Sequence, residues 1–434
     1  MTTAATRPDV KRGTLPVFAT ATAITVANIY FTQPLLDQIA RGFGISASAA
    51  GLVATAGQIG YALGIVAVVP LADRARLRRL SRVLLAVTAV ALLAGAAAPS
   101  VALLGMATLV LSASTVLPQV IMPTVASMAA PGQAGRVLGA VGTGLTMGAL
   151  LSRTASGLIA QAAGTWRAGF LVAAAATAAL LLVLPRYMPA GRPAGAEASG
   201  GYGRLLASLP RLLVDHAPLR LSAALGATVF ASFSAFWSTL AFHLTAPPIG
   251  LGPAVVGLFG LCSVPGALAA RYSGRLTDRW GPSTVNTLSV VAAVAAFALF
   301  AVAGRSLVVL AVGCNLLGYG VTSGQIANQA RIFTAAPGIR GRLNTVYMFA
   351  VFGGGAVGSG VAGVLFSASG WHGVVAGGLG FLLLAGLTLA WHGLRARNGG
   401  SGRGARRDDG DAGPGRTDAE TETATETTAP AVRG

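Results

Sequence analysis

Charge is scarce in this chain of 434 residues. Asp, Glu, Lys and Arg together make up 10% of it, where a soluble protein carries about 25%. A water-facing surface cannot be built from so few charges, so most of the surface faces something else. Lysine is almost missing, Lys11 being the only one. A phosphate-cradling loop of the form Gly-x-x-x-x-Gly-Lys-Ser/Thr needs a lysine after its second glycine. Lys11 has no such loop around it, which excludes an ATP-driven pump. The four histidines are scattered with no glutamate beside them, so the His-Glu-x-x-His type of metal site is ruled out. No metal, no cofactor and no enzyme activity are expected. Cysteine is limited to Cys262 and Cys314, both within apolar runs. They read as small core residues rather than as a zinc or disulfide pair. Acids are a further shortage: none of the 13 falls in the middle of an apolar run, and Asp37 comes nearest.

What fills the chain instead is apolar. Hydrophobic residues make up 54% of it, with 59 glycines of the kind that let membrane helices approach closely. Runs of about 20 residues, each long enough to cross a hydrocarbon core, recur throughout. Spanning helices are predicted over 14–36, 50–70, 82–99, 101–126, 137–161, 167–185, 219–243, 254–272, 284–303, 306–330, 343–368 and 372–394. Helix is the state that lets a segment in lipid satisfy its own backbone, and the runs are too long and too unalternating for barrel strands. Lys11 and Arg12 precede the first run, which continues to Leu36 and so reads as a first span rather than a cleaved signal.

The net charge of +18 would suggest nucleic acid in a soluble protein. Here the arginines sit in short clusters between apolar runs. With twelve spans, seventeen fall on one side (Arg74, Arg76, Arg78, Arg79, Arg82, Arg136, Arg186, Arg192, Arg204, Arg211, Arg220, Arg271, Arg275, Arg279, Arg331, Arg340 and Arg342). Three, Arg41, Arg167 and Arg305, fall on the other. This bias places both termini in the cytoplasm of a multi-pass protein of the cell membrane and speaks against a nucleic-acid partner. The expected organisation is a cytoplasmic tail over 1–13, a six-helix bundle over 14–185, a cytoplasmic central loop over 186–218, a second bundle over 219–395 and a disordered cytoplasmic tail over 396–434. The central loop carries Leu205, Leu206, Leu209, Leu212 and Leu213 at helical spacing beside Arg204 and Arg211, with Pro210 between, the pattern of an amphipathic surface helix.

The two bundles repeat. Asp73-Arg74 matches Asp278-Arg279, Gly135-Arg136 matches Gly341-Arg342, and Trp166 matches Trp371, all at offsets of 205 or 206. Two parallel six-helix halves are the build of one large transporter class.

At these residues the chain resembles the major facilitator superfamily. Leu71-Ala72-Asp73-Arg74 with Arg78-Arg79 is similar to the family's loop motif, although Val69 and Arg76 stand where glycines are expected. The second copy, Gly274-Arg275-Leu276-Thr277-Asp278-Arg279-Trp280-Gly281, matches it better. The stretch Asn28 to Leu36 resembles the first helix of a bacterial subgroup with many efflux carriers. The resemblance implies an all-α fold of twelve helices in two pseudo-symmetric bundles. It also implies alternating access, with Asp73, Arg74, Arg78, Gly274, Asp278, Arg279 and Gly281 forming a gating latch. In the family the first, fourth, seventh and tenth helices line the pathway, which nominates Asn28, Tyr30, Gln33, Gln119, Phe233, Phe236, Trp237, Asn315, Tyr319, Gln325 and Asn328. The fifth helix is glycine-rich, as in the family's antiporters, but lacks their proline.

Arg153 stands out from the residues alone. It lies sixteen residues into the fifth span, about 24 Å along its axis, where an arginine costs several kcal/mol and marks a functional site by default. The other half has Ser359 at this position. Arg153 either binds an anionic substrate, pairs with a carboxylate such as Asp37 in a coupling switch, or is a structural arginine that snorkels to the outer interface or bonds to helix carbonyls. His243 and His372 are alternative proton carriers. The expected function is a secondary transporter acting as a monomer, a proton-coupled exporter of small molecules. An importer of a small organic anion held by Arg153 and a non-transporting sensor or scaffold are the alternatives.

Overall fold

The computed structural model describes residues 13–72, 74–129, 133–190, 202–270, 272–336 and 339–404, with side chains of all but 134–136 and 396–404. Among these, ten stretches of helix are long and apolar enough to cross a membrane: Thr14–Phe43, Ala47–Ala72, Leu77–Ala97, Val101–Met128, Arg167–Arg186, Ala217–Thr245, Pro253–Ala270, Ser273–Ala303, Leu307–Ala335 and Arg340–Arg395. The helix Ala134–Ala163, which carries Arg153, adds the fifth span. The last stretch is broken at Gly370, whose φ of 59° and ψ of −147° cannot continue a helix, so it supplies the eleventh and twelfth spans. The result is the twelve-span, all-helical arrangement that the apolar runs require.

Three spans are interrupted, each where the sequence supplies a reason. The first changes from α-helix at Tyr30 to a single 3₁₀ turn over Gln33–Leu35 and back to α-helix over Leu36–Phe43, around Pro34. The expected end at residue 36 is therefore corrected: the span runs to Phe43, and Asp37 lies inside it. The fourth breaks between Ser114 and Leu117, just before Pro118, and the buried Thr115 donates its hydroxyl to the Thr25 carbonyl of the first span at 2.9 Å. The eighth breaks at Ser263 before Pro265. Proline lacks the N–H that would continue the ladder.

Glycines set the closest approaches. A Cβ on Gly148 would lie 2.3 Å from the Ala23 carbonyl oxygen of the first span, and one on Gly354 would lie 2.2 Å from that of Ala227 in the seventh. The pairs occupy corresponding places in the two halves. Gly60 against Leu109 and Gly266 against Asn315 form a second such set, each 2.2 Å from the opposing carbonyl. No side chain larger than hydrogen fits there, so the small residues are fixed by packing. Large apolar side chains such as Leu93, Met106, Val302 and Leu383 point outward and are exposed, the inverse of a soluble surface.

The central-loop helix, Tyr202–Asp215, buries Leu209 and Leu212 against a cluster that includes Tyr61, Ile332 and Tyr347, while Arg204 and Arg211 stay exposed. From Trp391 onward the chain forms a separate unit. There the helix continues to Gly404, past the boundary expected for the tail, and Arg395 lies over the Trp391 ring, 4.7 Å from its centroid. The remainder of the expected tail lies outside the described residues.

Candidate functional site

Arg153 is 2% exposed. Its Nε donates to Gln33 Oε1 at 2.8 Å and its Nη1 to the Ala149 carbonyl one turn earlier, also at 2.8 Å. Nη2 has no hydrogen-bond partner. The guanidinium carbon lies 4.1 Å from the Trp237 ring centroid, 4.6 Å from Tyr30 and 5.9 Å from Phe233. Ring faces attract a cation by about 0.5 to 2 kcal/mol each, so three of them offset part of the cost of burying this charge without neutralising it. Trp237 Nε1 is likewise buried without a partner.

The guanidinium borders a cavity of about 170 Å³ lined by Tyr30, Phe230, Phe233, Trp237, Ser263, Thr322 and Gln325 among others. A second cavity of about 450 Å³ shares Tyr30, Leu145, Ala149, Phe230 and Gln325 with it. That cavity continues along Gln119, Met122, Gln329, Phe333 and Asn344, toward the arginine-rich end of the bundle. The opposite end is sealed between the halves. Thr154 Oγ1 donates to the Gly257 carbonyl at 2.9 Å, Ala254 N–H to Gln161 Oε1 at 3.2 Å, and Thr55 and Ser359 share a 3.0 Å hydroxyl contact. A Cβ on Gly157 would lie 2.3 Å from the Pro253 carbonyl oxygen, so the fifth and eighth spans meet backbone to backbone there. The cavities extend toward the arginine-rich end and are closed off from the opposite one.

Of the nominated residues, Tyr30, Gln119, Phe233, Trp237 and Gln325 line this space, and Gln33 orients Arg153. Others face elsewhere. Asn28 donates to Thr177 Oγ1 at 3.2 Å, tying the first span to the sixth. Phe236 is fully buried and stacks on Phe300 at 4.6 Å in the core of the second half. Asn315 accepts from the Gly266 N–H at 2.9 Å and holds the eighth span to the tenth. Tyr319 borders neither cavity. Asn328 accepts from Arg331 at 2.9 Å. Arg331 itself lies within the tenth span, not in the loop assigned to it, and also reaches Ser222, Asn286 and Ser283. Asp37 is paired with Arg41, one turn along its own helix, and not with Arg153. His243 contacts the Gly304 carbonyl and stacks on Trp371. Phe230, Ser263 and Thr322 were not nominated; Phe230 lies one turn before Phe233 and could have been found from that spacing.

The motif residues fall at the arginine-rich end. Asp73 lies outside the described residues. Arg78 donates to the Met188 carbonyl at 3.4 Å. The second copy is helical from Ser273 to Trp280 and ends at Gly281, whose φ of 80° turns the chain into the ninth span. Asp278 and Arg279 are exposed there.

Comparison with known proteins agrees with this architecture. A profile of the Major Facilitator Superfamily matches residues 18–337. The chain is 34% identical over 374 residues to an uncharacterised transporter, YgaY, of Escherichia coli O157:H7, covering 86% of this chain and 94% of that one. It is 36% identical over 365 residues to SCO4007 of Streptomyces coelicolor, named a "probable transporter", covering 83% of each. Among solved structures, the nucleoside transporter NupG superposes with a TM-score of 0.68 at 15% identity, covering 87% of this chain and 98% of that one. A bacterial homologue of the human lysosomal transporter Spinster, in an inward-facing and unoccupied conformation, superposes with a TM-score of 0.67 at 15% identity, covering 88% and 96%. The chain belongs to the major facilitator superfamily.

Proposed function

We propose that this carrier moves a small organic anion with an apolar body across the cytoplasmic membrane by alternating access, with Arg153 as the substrate anchor. One observation carries the reading: a buried arginine borders the cavity with Nη2 unpartnered. Among the described residues the acids are Asp37, Asp215 and Asp278, and none lines that space. A carboxylate or sulfonate against the guanidinium would neutralise the charge, and the rings of Tyr30, Phe233 and Trp237 suit an apolar or aromatic body. A cationic substrate at about 4 Å from the guanidinium would instead meet repulsion on the order of 4 kcal/mol at an effective dielectric of about 20. The excess of arginine at the end toward which the cavities extend assigns that end to the cytoplasm, so they face the inside.

A second reading, proton-coupled export, rests on Asp37, which lies one turn beyond the Gln33 that orients Arg153 and is held by Arg41. Asp37 would be the proton carrier, and Asp37→Asn would then abolish any response of transport to an imposed pH gradient.

The test is uptake into proteoliposomes of radiolabelled benzenesulfonate, an anion that does not cross lipid unaided, beside the cationic dye ethidium. Expected is uptake of the sulfonate that Arg153→Ala removes. Movement of ethidium, unchanged by Arg153→Ala, would reverse the assignment.

A further inference from the structure

Each half has a corner built round a tryptophan at the end away from the arginine-rich one, and the two corners differ. In the first half Arg167 follows Trp166, lies over its ring at 4.2 Å and donates Nη2 to the Ala98 carbonyl at 2.8 Å. Asp37 is paired with Arg41. The charged groups of that corner are thus engaged by the protein itself. In the second half His372 follows Trp371, in the place of Arg167. At an offset of 206, the register set by the left-handed Gly44 and Gly250 and by the caps Ser100 and Ser306, His243 stands for Asp37, Pro247 for Arg41 and Arg305 for Pro99. The acid is lost and a guanidinium is gained. His243 is held by stacking on Trp371, 4.0 Å between centroids, and by donating Nε2–H to the Gly304 carbonyl at 2.6 Å.

Here the second half has a cavity of about 550 Å³, within the range of about 300 to 1,000 Å³ typical of small-molecule sites. Its polar lining includes His243, Arg305 and His372, and its apolar wall includes Ile249, Phe366 and Val302. Arg305 and His372 are exposed, and Val302 lies 88% exposed on the outward, apolar surface. None of the described acids lines this space, and it shares no residue with the two central cavities.

We propose that this corner is a binding site for a phosphate group of net negative charge. A guanidinium fork donates to two phosphate oxygens at once, and imidazole N–H groups beside it add further donors. The same chemistry is offered by a free phosphate and by the headgroup of an anionic lipid whose chain lies along Val302. Every lining residue belongs to the second half, so rocking of the halves neither opens nor closes the site, and its occupant is a fixed ligand rather than cargo. The site stands apart from Arg153 and from whatever that residue binds.

Unfolding midpoints of the purified full chain in a neutral detergent test this. The additions are inorganic phosphate, dihexanoyl-phosphatidylglycerol and, as a zwitterionic control, dihexanoyl-phosphatidylcholine. A saturating anion should raise the midpoint by about 3 °C. Arg305→Gln should abolish the shift and His372→Gln should reduce it at least about two-fold, while Arg305→Lys keeps most of it and Arg153→Gln leaves it intact. A shift with both phosphate and phosphatidylglycerol assigns a free phosphate-bearing ligand; a shift with phosphatidylglycerol alone assigns a lipid headgroup. No shift with either, a shift that survives Arg305→Gln and His372→Gln, a shift lost in Arg153→Gln, or an equal shift with phosphatidylcholine would overturn the site.

Discussion

The two six-helix halves share a scaffold and differ in cargo. Gly44 and Gly250 both have φ of 64°, and Gly164 and Gly370 have φ of 68° and 59°, each pair separated by 206 residues. Gly148 and Gly354, at the same separation, bring the fifth span onto the first and the eleventh onto the seventh. Against this sameness stand differences. Arg153 stands where the second half has Ser359, and Gly281, with φ of 80°, stands where the first half has Arg76, with φ of −68°. Repetition is kept where the backbones touch, because there the demand on the residue is the same in each half whatever is carried. It is abandoned where a side chain reaches the cavity or where a loop changes shape. The first motif copy cannot adopt the left-handed turn of the second, since an arginine at Arg76 would be strained in it.

This comparison can be broken at graded cost. Gly148→Leu and Gly354→Leu should be the most damaging pair, each losing more than about 3 kcal/mol of stability and eluting as aggregate from a sizing column. If one were tolerated, the matched packing of the halves would be refuted. Arg153→Ala should lower benzenesulfonate uptake by at least about 100-fold, or about 3 kcal/mol, while Ser359→Ala stays within about two-fold. Equal losses would mean that the asymmetry is structural. Trp237→Phe keeps the ring beside Arg153 and removes an unpartnered N–H, so benzenesulfonate affinity in a binding titration should fall about three- to ten-fold. An unchanged affinity would remove Trp237 Nε1 from the site. Smallest is the loop: Gly281→Ala should cost about 1 kcal/mol, read as a lowered unfolding midpoint, while Arg76→Ala should stay within about 0.5 kcal/mol. An equal cost at both would show that the two motif copies share one backbone after all.

The number of spans and the internal repeat were legible because they follow from run length and a fixed offset. Arg153 was legible because an arginine sixteen residues into a span is costly. What faces the cavity was less so. The family's pathway helices were identified, but a helix has more than one face, and successive residues turn by about 100°. Asn28 and Tyr30 are two residues apart and so point nearly opposite ways; only Tyr30 reaches the cavity, and Asn28 bonds to Thr177. Phe236 and Trp237 divide in the same way between the core and the site. The spacing of Tyr30 with Gln33, and of Phe233 with Trp237, would have marked the correct faces. Gln33 as the partner of Arg153 was not legible, for a different reason. The 3₁₀ turn at Gln33–Leu35 brings an amide to the guanidinium, and a local change of helix type is not written in hydropathy.

Equilibrium binding, read from tryptophan fluorescence because Trp237 lies against the guanidinium, tests the role of Arg153 most directly. Purified wild type, Arg153→Lys and Arg153→Gln would be titrated with benzenesulfonate and with benzylamine. Expected is saturable binding of the sulfonate, weakened by at most about ten-fold in Arg153→Lys and lost in Arg153→Gln, with no response to the amine. Binding of benzylamine, or sulfonate binding that survives Arg153→Gln unchanged, would contradict the assignment of Arg153 as an anion anchor.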